Sequence, residues 1–357
     1  MSFLALRKNL NLLNLTTLII ISILFPAISL ADANRVFMEN SSAVVVIEAR
    51  DKDGKPFKQG SGFIVRQDGA IVTNYHVISD AEDIKVRSVS KVLMWSVNKG
   101  LKFEGFLHID KENDVVILKV KGEKLQTVKI GDIQRLSIGR KVYVIGSPQG
   151  HENTVSDGIL SGIREIGPKR KIIQITAPVS EGCSGGPVFN NNGEVIGIAT
   201  FLIKEAQNLN FNFAIPINII KDKISAQEVI ALKDAVIEDC EKIPEYWCIL
   251  GYSSGEEGLY REAVDAFQQA IRAKPDYAEA HYGLGTTYVN LGKHREAMEE
   301  FQQAIRAKPD YAEAHYGLGV IYIGFDKIGP ALDKYKILKD LDPKLANELF
   351  NLIYPPH

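Results

Sequence analysis

Cysteine is scarce in this chain. Only Cys183, Cys240 and Cys248 occur among 357 residues, too few for a disulfide scaffold, so the fold must be held by packing and hydrogen bonds. Cys240 and Cys248 are close enough in sequence to pair in an oxidising compartment, but spacing alone supplies no disulfide geometry. A strong charge of either sign is also missing: the formal net charge is −2, which gives no reason to expect a nucleic-acid partner. The seven histidines nowhere take metal-ligand spacing, and neither a metal nor another cofactor is expected. A hydrophobic run of spanning length is lacking too. The best candidate, Leu15 to Leu30, is interrupted by Pro26 and falls short of the roughly 20 apolar residues a membrane helix needs. With Arg7 and Lys8 ahead of it and Ser29-Leu30-Ala31 or Ala31-Asp32-Ala33 behind it, residues 1–31 read as a secretory signal peptide rather than an uncleaved anchor. No cysteine lies near the cleavage site, which argues against a lipoprotein. The expected destination is export, to a periplasm or outside the cell.

What the sequence does contain is Gly182-Cys183-Ser184-Gly185-Gly186-Pro187. A serine set among glycines exposes a hydroxyl beside free backbone N–H groups, but a hydroxyl is a weak nucleophile until a base removes its proton. Upstream, Thr73-Asn74-Tyr75-His76-Val77 closes an apolar run and Asp114 heads the run Val115 to Lys119. Taken singly, each has an ordinary reading: Ser184 as a turn former, His76 as a strand-end histidine, Asp114 as the opening of an Asx turn. Together the order His76, Asp114, Ser184 is one of three chain orders known for such triads, the chymotrypsin order.

These pieces resemble an HtrA-type (Deg-type) trypsin-like serine protease domain over about residues 40 to 220. The resemblance rests on Gly60-Ser61-Gly62-Phe63-Ile64-Val65, Thr73-Asn74-Tyr75-His76-Val77, Asp114 to Val120, Ile145-Gly146-Ser147-Pro148-Gln149-Gly150, Val155 to Gly162, the serine motif, Gly193 to Ile198, and Asn212 to Pro216. It implies an all-β chymotrypsin-like double β-barrel, a serine endopeptidase activity, and an oxyanion hole made by the N–H groups of Gly182 and Ser184. One such donor is typically worth about 2.7–4 kcal/mol of transition-state stabilisation. The chain departs from the family at Cys183, where Asn or Asp is usual. Register keeps Ser184 as the nucleophile, because the glycine pair follows it, and leaves Cys183 as a small buried thiol. By analogy, the specificity pocket is walled near Ala199-Thr200-Phe201 and by the approach to Asn212, with no acid to attract Lys or Arg.

The second half changes character. Phe267 to Gly285 recurs letter for letter at Phe301 to Gly319, an offset of 34 residues, which is the tetratricopeptide (TPR) period. Three units fit over residues 244–345, with a capping helix over 346–357, so an all-α TPR domain is expected to follow the barrels. Small residues such as Gly251, Gly285, Ala263 and Ala297 let helices approach while Phe267 and Phe301 fill the space between them. The concave face should carry Glu279, Tyr282, Thr286, Val289, Asn290, Glu313, Tyr316, Val320 and Ile323. Tyr282, Asn290 and Tyr316 are the candidate partner-binding residues; the alternative is a spacer or a homo-oligomer contact. Apolar residues scattered through Lys221 to Lys242 predict an amphipathic helical linker over 223–243 that docks on the repeats. No PDZ module, common in relatives of this type, is seen. The expected partners are protein or peptide substrates, with a protein partner in the TPR groove. The rival reading is a latent protease fold used as a binding or chaperone-like scaffold. Because the repeats carry no triad element, the barrels are expected to act on short peptides without them.

Overall fold

In a computed structural model of the chain, residues 32–92, 95–147, 153–166, 170–200 and 212–355 are described. The leader over 1–31 and Phe201 of the expected pocket wall lie outside these residues.

The N-terminal half is two sheets. The first holds β1 (Val44–Arg50), β2 (Pro56–Arg66), β3 (Ala70–Asn74), β4 (Asp83–Val92), β5 (Trp95–Leu101), β6 (Phe103–Asp110) and β7 (Val115–Val120), in the order β5-β4-β1-β2-β3-β7-β6. The second holds β8 (Lys129–Ile130), β9 (Lys141–Gly146), β10 (Thr154–Ile166), β11 (Arg170–Ile175), β12 (Pro187–Asn190), β13 (Glu194–Thr200) and β14 (Asn212–Pro216). Its order is β12-β9-β10-β11-β14-β13-β8, and an added β12–β13 pairing closes it into a barrel.

The near-continuous apolar runs of β1, β3 and β7 follow from burial on both faces. Side chains alternate across a strand, and the two sets go to different places. Val45, Ile47, Ile64, Ile71, Val116 and Leu118 fill the interior of the first sheet. Val44, Phe63, Val72, Val115 and Ile117 face outward and meet Tyr143, Ile145, Phe189 and Ile198 of the second. A one-residue slip in any of these strands would exchange the two cores. Helix α1 (Asp32–Asn40) adds Val36 to the shared core, and α2 (Tyr75–Ile78) is the single turn that follows β3.

The C-terminal half is helical: α3 (Pro244–Glu256), α4 (Tyr260–Ala273), α5 (Ala278–Asn290), α6 (His294–Ala307), α7 (Ala312–Gly324), α8 (Ile328–Leu341) and α9 (Pro343–Ile353). Three antiparallel pairs precede α9, which seals the last pair through Ala346 and Leu349 packed with Leu338. The glycines act as the sequence requires. A methyl group on Gly251 or Gly283 would come within 2.8 or 2.3 Å of the Phe267 ring, and one on Gly285 or Gly317 within 2.8 or 2.9 Å of Phe301.

The linker is not the expected helix. After a 3₁₀ turn at Ile217–Ile219 and further turns over 220–225, the chain runs to α3 without regular helix, interrupted by 3₁₀ turns at Leu232–Asp234 and Cys240–Lys242. Nor does it dock on the repeats. Ile230 pairs with Phe106 on β6, each N–H donating to the other's carbonyl at 2.8 Å, while Leu232, Ala235 and Ile237 pack on the interior of the first sheet. Two causes decide this. Ile224, Val229, Ile230, Val236 and Ile237 are β-branched and resist helix, and the edge strand β6 offers unpaired backbone groups that the linker satisfies. The close approach needs Gly105 (φ +150°), where a Cβ would lie 2.3 Å from the Ile230 carbonyl oxygen.

Candidate active site

His76 and Asp114 come together because β3 and β7 pair antiparallel with Asn74 opposite Val115, so the turn after one strand meets the residue before the other. The contact has two points. Asp114 Oδ1 accepts the His76 backbone N–H at 2.8 Å, and Oδ2 lies 2.7 Å from His76 Nδ1. Asp114 itself is 3% exposed and adopts φ +55°, a left-handed conformation that Asp tolerates better than most residues. Its carbonyl accepts from the Tyr75 N–H and from Asn74 Nδ2, at 3.1 and 2.9 Å. A carboxylate on Nδ1 fixes the tautomer that leaves Nε2 as the base.

Ser184 is on the loop between β11 and β12. Ser61 of β2 holds that loop from the opposite wall. Its N–H donates to the Ser184 carbonyl at 2.8 Å and its hydroxyl to the Gly182 carbonyl at 2.7 Å. The same hydroxyl accepts the Ser147 N–H at 3.0 Å, and the Ser61 carbonyl accepts Thr73 Oγ1 at 2.7 Å. The loop thus crosses between the sheets and is tied to the wall that carries His76. Gly182 (φ +94°) and Gly185 (φ +84°) both need the left-handed region, and a Cβ on Gly185 would lie 2.1 Å from Thr73 Oγ1. The Cys183 N–H donates to the Ser180 carbonyl at 2.9 Å, closing a turn. Its thiol is buried in the core of the second sheet, and burial pushes its titration up, so it is a small apolar filler rather than a reactive thiolate.

Sequence reasoning used Ser61 only as part of a motif. Its position between two glycines, Gly60 and Gly62, is the signal that was available: a Cβ on Gly60 would lie 2.9 Å from the Ser184 carbonyl oxygen. All three cysteines are free thiols. Ala199 and Thr200 are buried on β13, where Thr200 pairs with Phe213.

The helical half carries a groove of about 410 Å³ between α5 and α7, lined by Tyr282, Thr286, Val289, Asn290, Glu313, Tyr316 and Val320. His294 and Phe325, which the pattern did not single out, also line it. Tyr282 has a structural side as well: its ring sits 5.8 Å from Phe301 and 5.2 Å from Tyr311. Ile323 packs instead with the capping helix, and Glu279 faces Lys308 at 3.9 Å in a polar cleft that also takes Glu112 and Arg170 of the peptidase half.

Comparison with known proteins agrees with this division. A trypsin-like peptidase domain model matches residues 60–198, and a tetratricopeptide repeat model matches residues 256–321. The chain is 37% identical over 176 residues to a probable periplasmic serine endoprotease, DegP-like, of Pseudomonas putida (strain W619), covering 48% of this chain and 35% of that protein. It is 40% identical over 166 residues to the putative serine protease HhoB of Synechocystis sp. (strain ATCC 27184 / PCC 6803 / Kazusa), covering 44% and 37%. The chain thus spans little more than a third of the length of these relatives. Among solved structures, Deg5 is 32% identical, with a TM-score of 0.44 and coverage of 53% of this chain and 90% of that one. The chain therefore carries a trypsin-like peptidase domain with DegP-like relatives and, C-terminal to it, a tetratricopeptide repeat domain.

Proposed function

We propose that the protein is an exported serine endopeptidase whose helical repeats capture a protein substrate or partner. Ser184 attacks the scissile carbonyl, and His76 Nε2 takes its proton and returns it to the leaving amine. Asp114 holds the imidazole in the required tautomer, and the N–H groups of Gly182 and Ser184 receive the oxyanion. The observation that carries the reading is the two-point contact of Asp114 with His76, beside a serine loop stapled to the same wall by Ser61. A histidine held only as a surface strand end would not need a buried carboxylate on both its backbone and its ring. Export is supported by the leader sequence and by the periplasmic naming of relatives. The groove supports capture through its aromatic and aliphatic lining, a surface suited to an apolar stretch of peptide.

The test is labelling of the mature protein by a fluorophosphonate, together with hydrolysis of a short unstructured peptide. Ser184→Ala should abolish labelling and lower turnover by about a millionfold, as losing the nucleophile of such a unit does, while leaving the thermal transition in place. A wild-type protein that takes no label would identify a latent fold acting as a scaffold.

A further inference from the structure

The face of the first sheet behind His76 is closed by chain that belongs to the helical half. Tyr75, one residue before His76, both donates its hydroxyl to the Glu238 carbonyl and accepts the Glu238 N–H, each at 2.8 Å. Cys240 is buried in the 3₁₀ turn that follows Glu238. Ile243 is buried in the interior of the first sheet with Tyr75, Val77 and Ile78. Tyr246, in the first turn of α3, then lays its ring against the imidazole, with centroids 6.5 Å apart and planes tilted by 52°. Trp247 backs that ring edge-on at 5.4 Å, and its indole N–H donates to the Glu241 carbonyl at 2.6 Å. The same helix touches the other sheet, where Ile249 packs with Ile172 of β11 and Phe213 of β14.

We infer that Tyr246 is a positioning residue for the His76–Asp114 pair, and that α3, resting on both sheets, makes the first helix of the repeat domain part of the support of the hydrolytic site. The inference rests on the serine-endopeptidase reading above. Its physical basis is that α2 is a single turn, too short to be rigid by itself. Its outer face meets Tyr246 and the linker, with Lys111 of the β6–β7 turn over the Tyr75 ring, so the imidazole's freedom to swing is limited from that side. Burial, followed by the fields of Cys240 and Asp114, pushes the Tyr246 hydroxyl's titration up, as expected for a phenol enclosed beside the pair. Such support opposes the expectation that the barrels act alone. A chain ending near Lys242 lacks Ile243, Tyr246 and Ile249, and so loses contacts to both sheets.

The test uses the full chain with Tyr246→Ala, Tyr246→Phe and Tyr75→Phe, all assayed for fluorophosphonate labelling and for short-peptide hydrolysis. Misplacement of a reacting group by about 1 Å costs up to about a hundredfold. Tyr246→Ala should therefore lower kcat by about ten- to a hundredfold with KM unchanged, and Tyr246→Phe, which keeps the ring, should stay within about twofold of wild type. A folded Tyr246→Ala with wild-type kcat overturns the inference, as does a change confined to KM. Should Tyr246→Ala fail to fold, Tyr75→Phe decides: it removes both bonds to Glu238 without opening a cavity, and an unchanged labelling rate overturns the support role. Failure of wild type itself to label would sink the endopeptidase reading instead, which separates the two outcomes.

Discussion

Phe267 to Gly285 and Phe301 to Gly319 present identical letters to different neighbours, and the difference is sharpest at the histidine each contains. In both units Nε2 lies 2.8 Å from a proline carbonyl, Pro275 for His281 and Pro309 for His315. The other nitrogen separates them. His281 Nδ1 meets Glu300 at 2.6 Å, whereas His315 Nδ1 is buried without a partner, because the position 34 residues after Glu300 is Lys334. Burial pulls both imidazoles down. At His281 the Glu300 hydrogen bond, the Pro275 carbonyl and the Glu300 charge outweigh it and the titration rises. At His315 burial wins, with Lys334 adding to it, and the titration falls. An identical local sequence thus gives two opposite ionisation preferences, set wholly by the following helix.

The largest way to break the equivalence of the repeats is at their aromatic wedges. Phe301→Ala should cost about 3–5 kcal/mol, the range for a buried phenylalanine, because its ring fills the gap between Gly285 and Gly317. The third unit has Tyr335 there, which is only half-buried, so Tyr335→Ala should cost clearly less in the same urea titration. Lys334→Glu would give His315 the carboxylate that His281 has. Relieving a buried unpaired nitrogen is worth about 1–3 kcal/mol, so this variant should stabilise the repeats and raise the His315 titration above the usual histidine value.

The pH response of the wild type should split in the same way. A histidine with a raised value contributes stability that is complete below its unfolded value and is lost as pH rises through the folded one, so His281 favours the acid side. A histidine with a lowered value contributes stability that is present above its unfolded value and is lost as pH falls through the folded one, so His315 favours the alkaline side. Following both imidazole resonances by NMR through neutral pH should show His281 titrating last on the way up; Glu300→Gln should bring it down toward His315. The smallest effect concerns the loops. Gly258, Gly292 and Asp326 occupy one position of the repeat at φ +75°, +72° and +57°, each closing a helix end with paired backbone bonds. Only the third carries a side chain there, and Asp326→Gly should stabilise by about 0.5–1 kcal/mol, read as a rise in urea midpoint with Gly292→Ala moving the opposite way.

The period of 34 was legible because packing demands small residues and wedges at fixed offsets, and so was the meeting of His76 with Asp114, because each stands at the end of an apolar run and the two runs pair as strands. The partner at His281 was not. Glu300 lies 19 residues away, and nothing in the repeated letters distinguishes it from Lys334 as a helix-surface charge. The linker was misread for a related reason: its scattered apolar residues satisfy a helical pattern as well as an extended one, and the deciding factor, an unpaired edge on β6, is a property of a strand more than a hundred residues earlier. Ser61 was seen as a letter in a motif, while its two bonds to the serine loop depend on how the second barrel folds back.

The bond between Tyr75 and Glu238 spans 163 residues, and that separation has a consequence for the order in which the molecule matures. A chain emerging from a ribosome at about 5–20 residues per second makes Glu238 roughly 8 to 33 seconds after Tyr75. Only in the last part of that interval, once Pro216 has been made, are both sheets complete in sequence while β6 is unpaired along its edge and the turn bearing His76 lacks its outer cover. Long-range closures of this kind come late, after local contacts have formed. The turn bearing His76 therefore gains its outer cover only once the chain through the first repeat helix has been made.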